Sequence, residues 1–245
     1  MALVNSKAPG LRKIQSALRA AANPEAAKTS RRFFKTAEGE YGAGDQFLGL
    51  RVPQLRQQVK EFEAASLETI GKLLASPYHE ERLFALFLLV RQFERGDEAR
   101  RKTIYNFYLD STEFTNNWDL VDSSAPQIVG GWLASRKRTP LYKLIKSSSL
   151  WERRIAILAT LNFIRLQDYA DTLDLCECVL GDREDLIHKA SGWMLREAGN
   201  REPAVLRSFL DEHAAIMPRT MLRYAIEKLA AEEREYYRDM KQAGD

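Results

Sequence analysis

Four short polar joints divide the chain at nearly equal intervals, and this limits the folds open to it more than any other feature. Ser76, Ser111, Ser147 and Asp182 stand 35, 36 and 35 residues apart, each within a Ser-, Asp-, Gly- or Pro-containing break. Six residues after the first three come Arg82, Asn117 and Arg153, each leading into a more apolar segment. Between joints the apolar residues recur at helical spacing. Leu11, Ile14, Leu18 and Ala21 form one stripe, ended by Asn23-Pro24. Leu83, Leu86, Phe87 and Val90 form a second, and Ile155, Leu158, Ala159 and Phe163 a third. No Asn-Gly or Asp-Gly hairpin and no sustained period-two alternation suggests a strand. A helix pair cannot bury its apolar face alone, so pairs repeating at this period stack on their neighbours. The expected fold is all-α: a superhelical solenoid of HEAT-like helical repeats whose equivalent positions line a concave face. An irregular helical bundle is the competing arrangement. One domain over residues 1–245 is expected, with residues 1–10 as a flexible N-terminal tail.

Composition excludes several function classes. Residues 1–10 lack the apolar run of a signal peptide, and nothing approaches the ~20 apolar residues of a membrane span. Cys176 and Cys178 imply a reducing, cytoplasmic location without a disulfide framework, and on a helix they point to different sides. His79, His188 and His213 are too few and too scattered for a metal site, and no cofactor is expected. Net charge is only +3, but between Ser135 and Arg165 eight basic residues face the single acid Glu152. Such an excess attracts polyanions or coats a solvated helix. The Gly-rich stretch Gly39–Asp45 lacks the Gly-Lys-Ser/Thr of a phosphate loop and reads as a loop entering the next helix. Tyr236 and Tyr237 read as capping packing on an end repeat.

The repeat register brings chemically unusual residues into rows. Stepping about 36 residues from Arg82 reaches Trp118, Arg154, Lys189 and then Arg223. Stepping from Leu86 reaches Asp122, Leu158, Trp193 and Glu227. Trp118, Arg154 and Lys189 are therefore expected in one row, with Asp122 and Trp193 in the next. Trp118 and Asp122, four apart in FTNNWDLVDSSAP, share a helix face. A Trp favours an apolar surface or a cation, and an Asp favours water, a donor or a positive charge. A face showing both suits a ligand that is cationic at one atom and sugar-like beside it. The plainer reading is a helix start with Thr115 or Asn116 as N-cap, Asp119 in the first turn and Trp118 partly buried.

The run WDLVD with its preceding FTNN, the segment ERRIAIL (152–158), KASGWMLREAG (189–199) and YGAGDQFLGLRVPQLR (41–56) together resemble the AlkD-like DNA alkylation repair glycosylases. The resemblance spans about residues 33–198, with the motifs in the family's order. It implies a HEAT-like solenoid with a concave DNA-binding face. It also implies excision of positively charged N3- or N7-alkylated purines from duplex DNA by a monomer associated with the nucleoid through DNA. By this resemblance Asp122 is the catalytic carboxylate and Trp118 and Trp193 are aromatic walls against the lesion's sugar-phosphate. Arg154 is the cation on the DNA backbone, and the further aromatic, a Tyr in some members, is Phe33 here, without the hydroxyl. Lys189 and Arg223 join Arg154 as expected phosphate contacts.

The chemistry fits those residue types. N-glycosidic cleavage passes through a sugar with oxocarbenium character, which a carboxylate beside C1′ stabilises while it holds or deprotonates the attacking water. A purine alkylated at N3 or N7 is already cationic and departs neutral, so a single carboxylate suffices. Two other classes stay open: a module that binds damaged or branched DNA without chemistry, and a protein-interaction scaffold. A scaffold predicts apolar or acidic contact rows, and a pure binder gains nothing from a carboxylate aimed at a polyanion.

Overall fold

The computed structural model describes residues 8–240 and is built from helices and turns. The assigned tail lies outside the described residues over 1–7, and α1 begins at Leu11. The chain forms two compact units divided after Ser124.

The first unit carries α1 (Leu11–Ala20), α2 (Pro24–Phe33), α3 (Val52–Phe62), α4 (Leu67–Leu74), α5 (His79–Arg95), α6 (Glu98–Leu109), a 3-10 turn (Thr112–Phe114) and α7 (Trp118–Asp122). Side chains of Asn23, Ser66 and Asp97 cap α2, α4 and α6 by accepting from first-turn amides. Helix α5 is the centre, packed by α3, α4, α6 and α7. It is buried on every side from His79 to Leu89, which no single apolar stripe would require. The expected stripe on α1 is realised at Ile14 and Leu18, both fully buried. Among the described residues the sole β feature is an isolated parallel bridge between Gln46 and Tyr78.

The second unit begins with a π-helical turn (Pro126–Gly130) running into α8 (Gly131–Leu133). It continues through α9 (Thr139–Leu144), α10 (Leu150–Arg165), α11 (Ala170–Cys178), α12 (Asp185–Gly199), α13 (Pro203–His213), α14 (Arg219–Ala225) and α15 (Ala231–Asp239). Helices α10, α12 and α14 stack in series, with α11 and α13 packed alongside, which is the layering of HEAT-like pairs. Cys176 is buried and Cys178 exposed, on different sides of α11 as expected. Tyr237 is buried with its hydroxyl donating to Asp211 at 2.9 Å, while Tyr236 stays exposed.

Close helix stacking needs a glycine at Gly192. A Cβ there would lie 2.4 Å from the Met221 carbonyl oxygen and 2.6 Å from Tyr224 Cβ. Gly192→Ala is expected to push α14 off α12 and cost about 1–3 kcal/mol, read as a lower urea midpoint at unchanged slope.

The joints repeat in three dimensions. Arg82 Nη1 donates to the Ser76 carbonyl at 3.0 Å, and Arg153 Nη1 to the Ser147 carbonyl at 3.0 Å. His188 Nε2 lies 2.7 Å from the Asp182 carbonyl oxygen. In each case the side chain six residues on closes over the joint. Asn117 departs from this pattern: its side chain caps α7 instead.

Candidate active site

Asn117, rather than Thr115 or Asn116, is the N-cap of α7, accepting from the Trp118 amide at 2.8 Å. Thr115 is buried and Asn116 half-buried upstream of it. The other joints reach their N-cap within two residues, at Tyr78, Ser149 and Glu184, whereas Ser111 is separated from Asn117 by the 3-10 turn. Four extra residues amount to about one helical turn. The expected rows therefore slip by a turn. Counted from helix starts, Asp122 occupies the position of Arg154, Lys189 and Arg223, while Trp118 stands a turn before them and Trp193 a turn after.

Helix α7 is five residues long, and Asp122 is its last. Two local causes end it. Ser124, fully buried, turns its hydroxyl back to the Leu120 carbonyl at 2.6 Å. Pro126 lacks the N–H that a continuing helix would offer to the Asp122 carbonyl. The interruption leaves the Asp122 side chain half-buried at a helix end. Beneath it lies Tyr108, fully buried, its hydroxyl 3.0 Å from Ser124 Oγ. Burial pushes the Tyr108 phenol up, the Asp122 charge adds to this, and hydrogen bonds to Ser124 and Thr115 oppose it.

Trp118 stands on an aromatic stack. Its ring lies 5.5 Å from Phe34, nearly parallel, and Phe34 lies 4.6 Å from the His79 imidazole and 5.4 Å from Phe47. Phe33 meets Trp118 edge-on at 5.7 Å and is 62% exposed, so the structure does bring these two expected site residues together.

Under the stack is a buried charge network that the sequence reading missed. His79, Glu80, Glu81 and Arg82, four consecutive residues opening α5, are each at most 4% exposed. His79 Nε2 lies 2.8 Å from Asp119 Oδ2, and its Nδ1 3.3 Å from Asp45 Oδ2. Asp45 Oδ1 pairs with Arg82 Nη2 at 2.7 Å. Burial disfavours the charged imidazole, but the hydrogen bonds to Asp119 and Asp45 outweigh it and raise the His79 pKa from 6.5 to about 9. Burial likewise raises Asp45, yet its bonds to His79 and Arg82 hold it below the ordinary value. A group whose pKa rises on folding stabilises the native state fully below its unfolded value and loses that contribution as pH climbs through the folded one. The urea midpoint is therefore expected to fall between about pH 6.5 and 9, and that fall to disappear in His79→Gln.

In the second unit, Trp193 is half-buried on α12 with its indole N–H donating to Glu197 at 3.2 Å. Lys189 pairs with Asp185 at 2.7 Å. Arg223 is exposed. Arg154 is only 4% exposed and donates to the Leu186 carbonyl, tying α10 to α12. The basic run is also partly neutralised by acids lying beyond it. Arg138 pairs with Asp168 and Asp171, and Arg153 with Asp182. Lys137, Lys143, Lys146 and Arg165 remain exposed.

Residues 14–229 match the family described as DNA alkylation repair enzyme, most of the chain. The chain belongs to the DNA alkylation repair enzyme family. Its role is accordingly in the repair of alkylation damage. A solved structure from Enterococcus faecalis, titled a predicted DNA alkylation repair enzyme, is similar with a TM-score of 0.65 at 19% identity, covering 86% of this chain and 97% of that one. The AlkD2 structure from Streptococcus mutans is similar with a TM-score of 0.57 at 15% identity, covering 91% of this chain and 100% of that one. At these identities the likeness is one of fold, and it agrees with the helical repeats within each unit. No curated protein matches in sequence. No described helix is long and apolar enough to cross a membrane.

Proposed function

We propose that this family member is a monofunctional DNA glycosylase that hydrolyses the N-glycosidic bond of N3- or N7-alkylated purines in duplex DNA. The observation that carries the reading is the placing of Trp118 and Asp122 one turn apart on a helix interrupted immediately past the carboxylate. Asp122 stabilises the sugar cation and orients or deprotonates the attacking water. The ring faces of Trp118 and Trp193 favour developing positive charge by roughly 0.5–2 kcal/mol each. Phe33, exposed beside Trp118, offers a further apolar surface to the nucleotide. A cationic base needs no acid to leave, so one carboxylate suffices, and the proposed enzyme acts as a cytoplasmic monomer.

Phosphate contacts position the duplex without reading its sequence. Lys189 and Arg223 take most of this role, since the burial of Arg154 leaves little of its guanidinium for a phosphate. Arg223→Ala is expected to lower the slope of log K against log salt by about 0.9. An unchanged slope would place the DNA track elsewhere.

The deciding experiment incubates the protein with duplex DNA carrying a single 7-methylguanine. Free 7-methylguanine and an intact abasic strand are expected, with nothing released from unmodified duplex. Binding without release would instead make the protein a non-catalytic reader of damaged or branched DNA.

A further inference from the structure

We infer that His79 is a positioning residue for α7: held as an imidazolium between Asp45 and Asp119, it fixes the helix that carries Trp118 and Asp122. The inference rests on the proposed glycosylase reading for its catalytic consequence but on geometry for the positioning itself. A carboxylate oxygen faces each ring nitrogen, at 2.8 Å and 3.3 Å. An ionised carboxylate can only accept, so with Asp45 and Asp119 both ionised each ring nitrogen donates a proton and the ring is charged. Asp119 has no substitute partner. Its Oδ1 is buried without a donor, so His79 is its hydrogen-bonded cation among the described residues.

Asp119 is the second residue of α7, directly after Trp118 and one turn before the helix ends at Asp122. The same imidazole supports the Trp118 ring from below through Phe34. One charged ring thus holds α7 by its backbone-proximal carboxylate and by the aromatic it presents.

The groups facing His79 come from every element packed on it. Asp45 and the Phe47 ring reach it from the segment before α3, Phe34 from the end of α2, Asp119 from α7, and Arg82 from its own helix. The neighbouring acids of α5 are committed elsewhere. Glu80 accepts from the Leu48, Gly49 and Leu50 amides, and Glu81 is bound by Gln15, Arg19 and Ser76. With two carboxylates against His79 and Arg82 the network is neutral, and deprotonating His79 leaves it one negative charge in excess. Arg82 is already engaged by Asp45 and the Ser76 carbonyl, so that charge falls on Asp119 and loosens α7. The raised pKa of His79 agrees with the geometry.

The test labels the whole protein with 5-fluorotryptophan and follows its fluorine spectrum from about pH 6 to 10, with Trp118 assigned by Trp118→Phe. The histidine ring carbons are titrated in parallel, and far-UV circular dichroism tracks the global fold. The Trp118 signal is expected to move with the His79 midpoint while the signals of Trp132, Trp151 and Trp193 do not follow. In Asp119→Asn both midpoints should drop together by at least about one pH unit. Excision and duplex affinity are measured over the same range. The rate of the chemical step should fall through the midpoint while affinity holds. A Trp118 signal that stays flat while His79 titrates, or a midpoint indifferent to Asp119→Asn, overturns the inference. A wild type that releases no base at any pH removes the glycosylase reading and leaves the fluorine result to decide the positioning.

Discussion

Asp122→Asn is expected to slow excision of 7-methylguanine by about 10² to 10³-fold, the 2.7–4 kcal/mol typical of losing a preorganised electrostatic group. The substitution keeps size and shape but removes the charge proposed to face the sugar cation and the base proposed to serve the water. Asp122 ends α7, where the helix dipole is negative and a carboxylate is disfavoured by up to about 1 kcal/mol. Duplex affinity is expected to hold or rise, since a neutral amide no longer repels phosphates. Equal rates of base release from wild type and variant, measured in single turnover with enzyme in excess, would put the chemistry elsewhere on the chain.

Much of the helical architecture was legible because it is periodic. Stripes such as Ile14–Leu18 follow from helical spacing alone, and the joints at Ser76, Ser147 and Asp182 are closed by the side chains six residues on. The register through Ser111 was not legible. A 3-10 turn there adds about one helical turn, and a constant step across it carries Trp118 where Asp122 belongs. Arg154 shows a second limit. Sequence gives its type and repeat position, but only packing shows that the guanidinium is turned onto the Leu186 carbonyl. The opening of α5 was least legible of all. His-Glu-Glu-Arg reads as an ordinary solvated helix start, with acids favouring the N-terminal dipole. Its burial depends on partners far away in sequence, Asp119 at 40 residues, Glu81 to Gln15 at 66. Four consecutive charges entering a strongly apolar segment, LFALFLLV, were the available signal, because such a segment is buried on all sides and takes its own start with it.

Glu80→Ala is expected to destabilise the first unit by about 3–5 kcal/mol, the range for removing one side of a buried charged interaction. Glu80 is 3% exposed, and its two oxygens accept from three consecutive amides, Leu48 at 2.9 Å, Gly49 at 2.7 Å and Leu50 at 3.2 Å. Alanine would leave three buried donors without an acceptor, each costing about 1–3 kcal/mol where water cannot reach. The segment cannot swing out to find water cheaply. Gly49, at φ +78°, is nested so closely on the start of α2 that a Cβ there would sit 2.1 Å from the Asn23 carbonyl oxygen. The Leu48 carbonyl in turn accepts from the Asn23 amide at 2.8 Å. Glu80→Gln is the control. Its carbonyl oxygen can still accept from Gly49 and Leu50, but its NH₂ would face the Leu48 amide donor to donor, so an intermediate loss is expected. Asp45 and Phe47 lie just before this segment and pack on His79, so loosening it should also disturb the Trp118 stack. Urea unfolding followed by circular dichroism and by Trp118 fluorescence checks both effects. A Glu80→Ala protein within about 1 kcal/mol of wild type would mean that the three amides reach water after all, and that the carboxylate is not what holds the segment against α5.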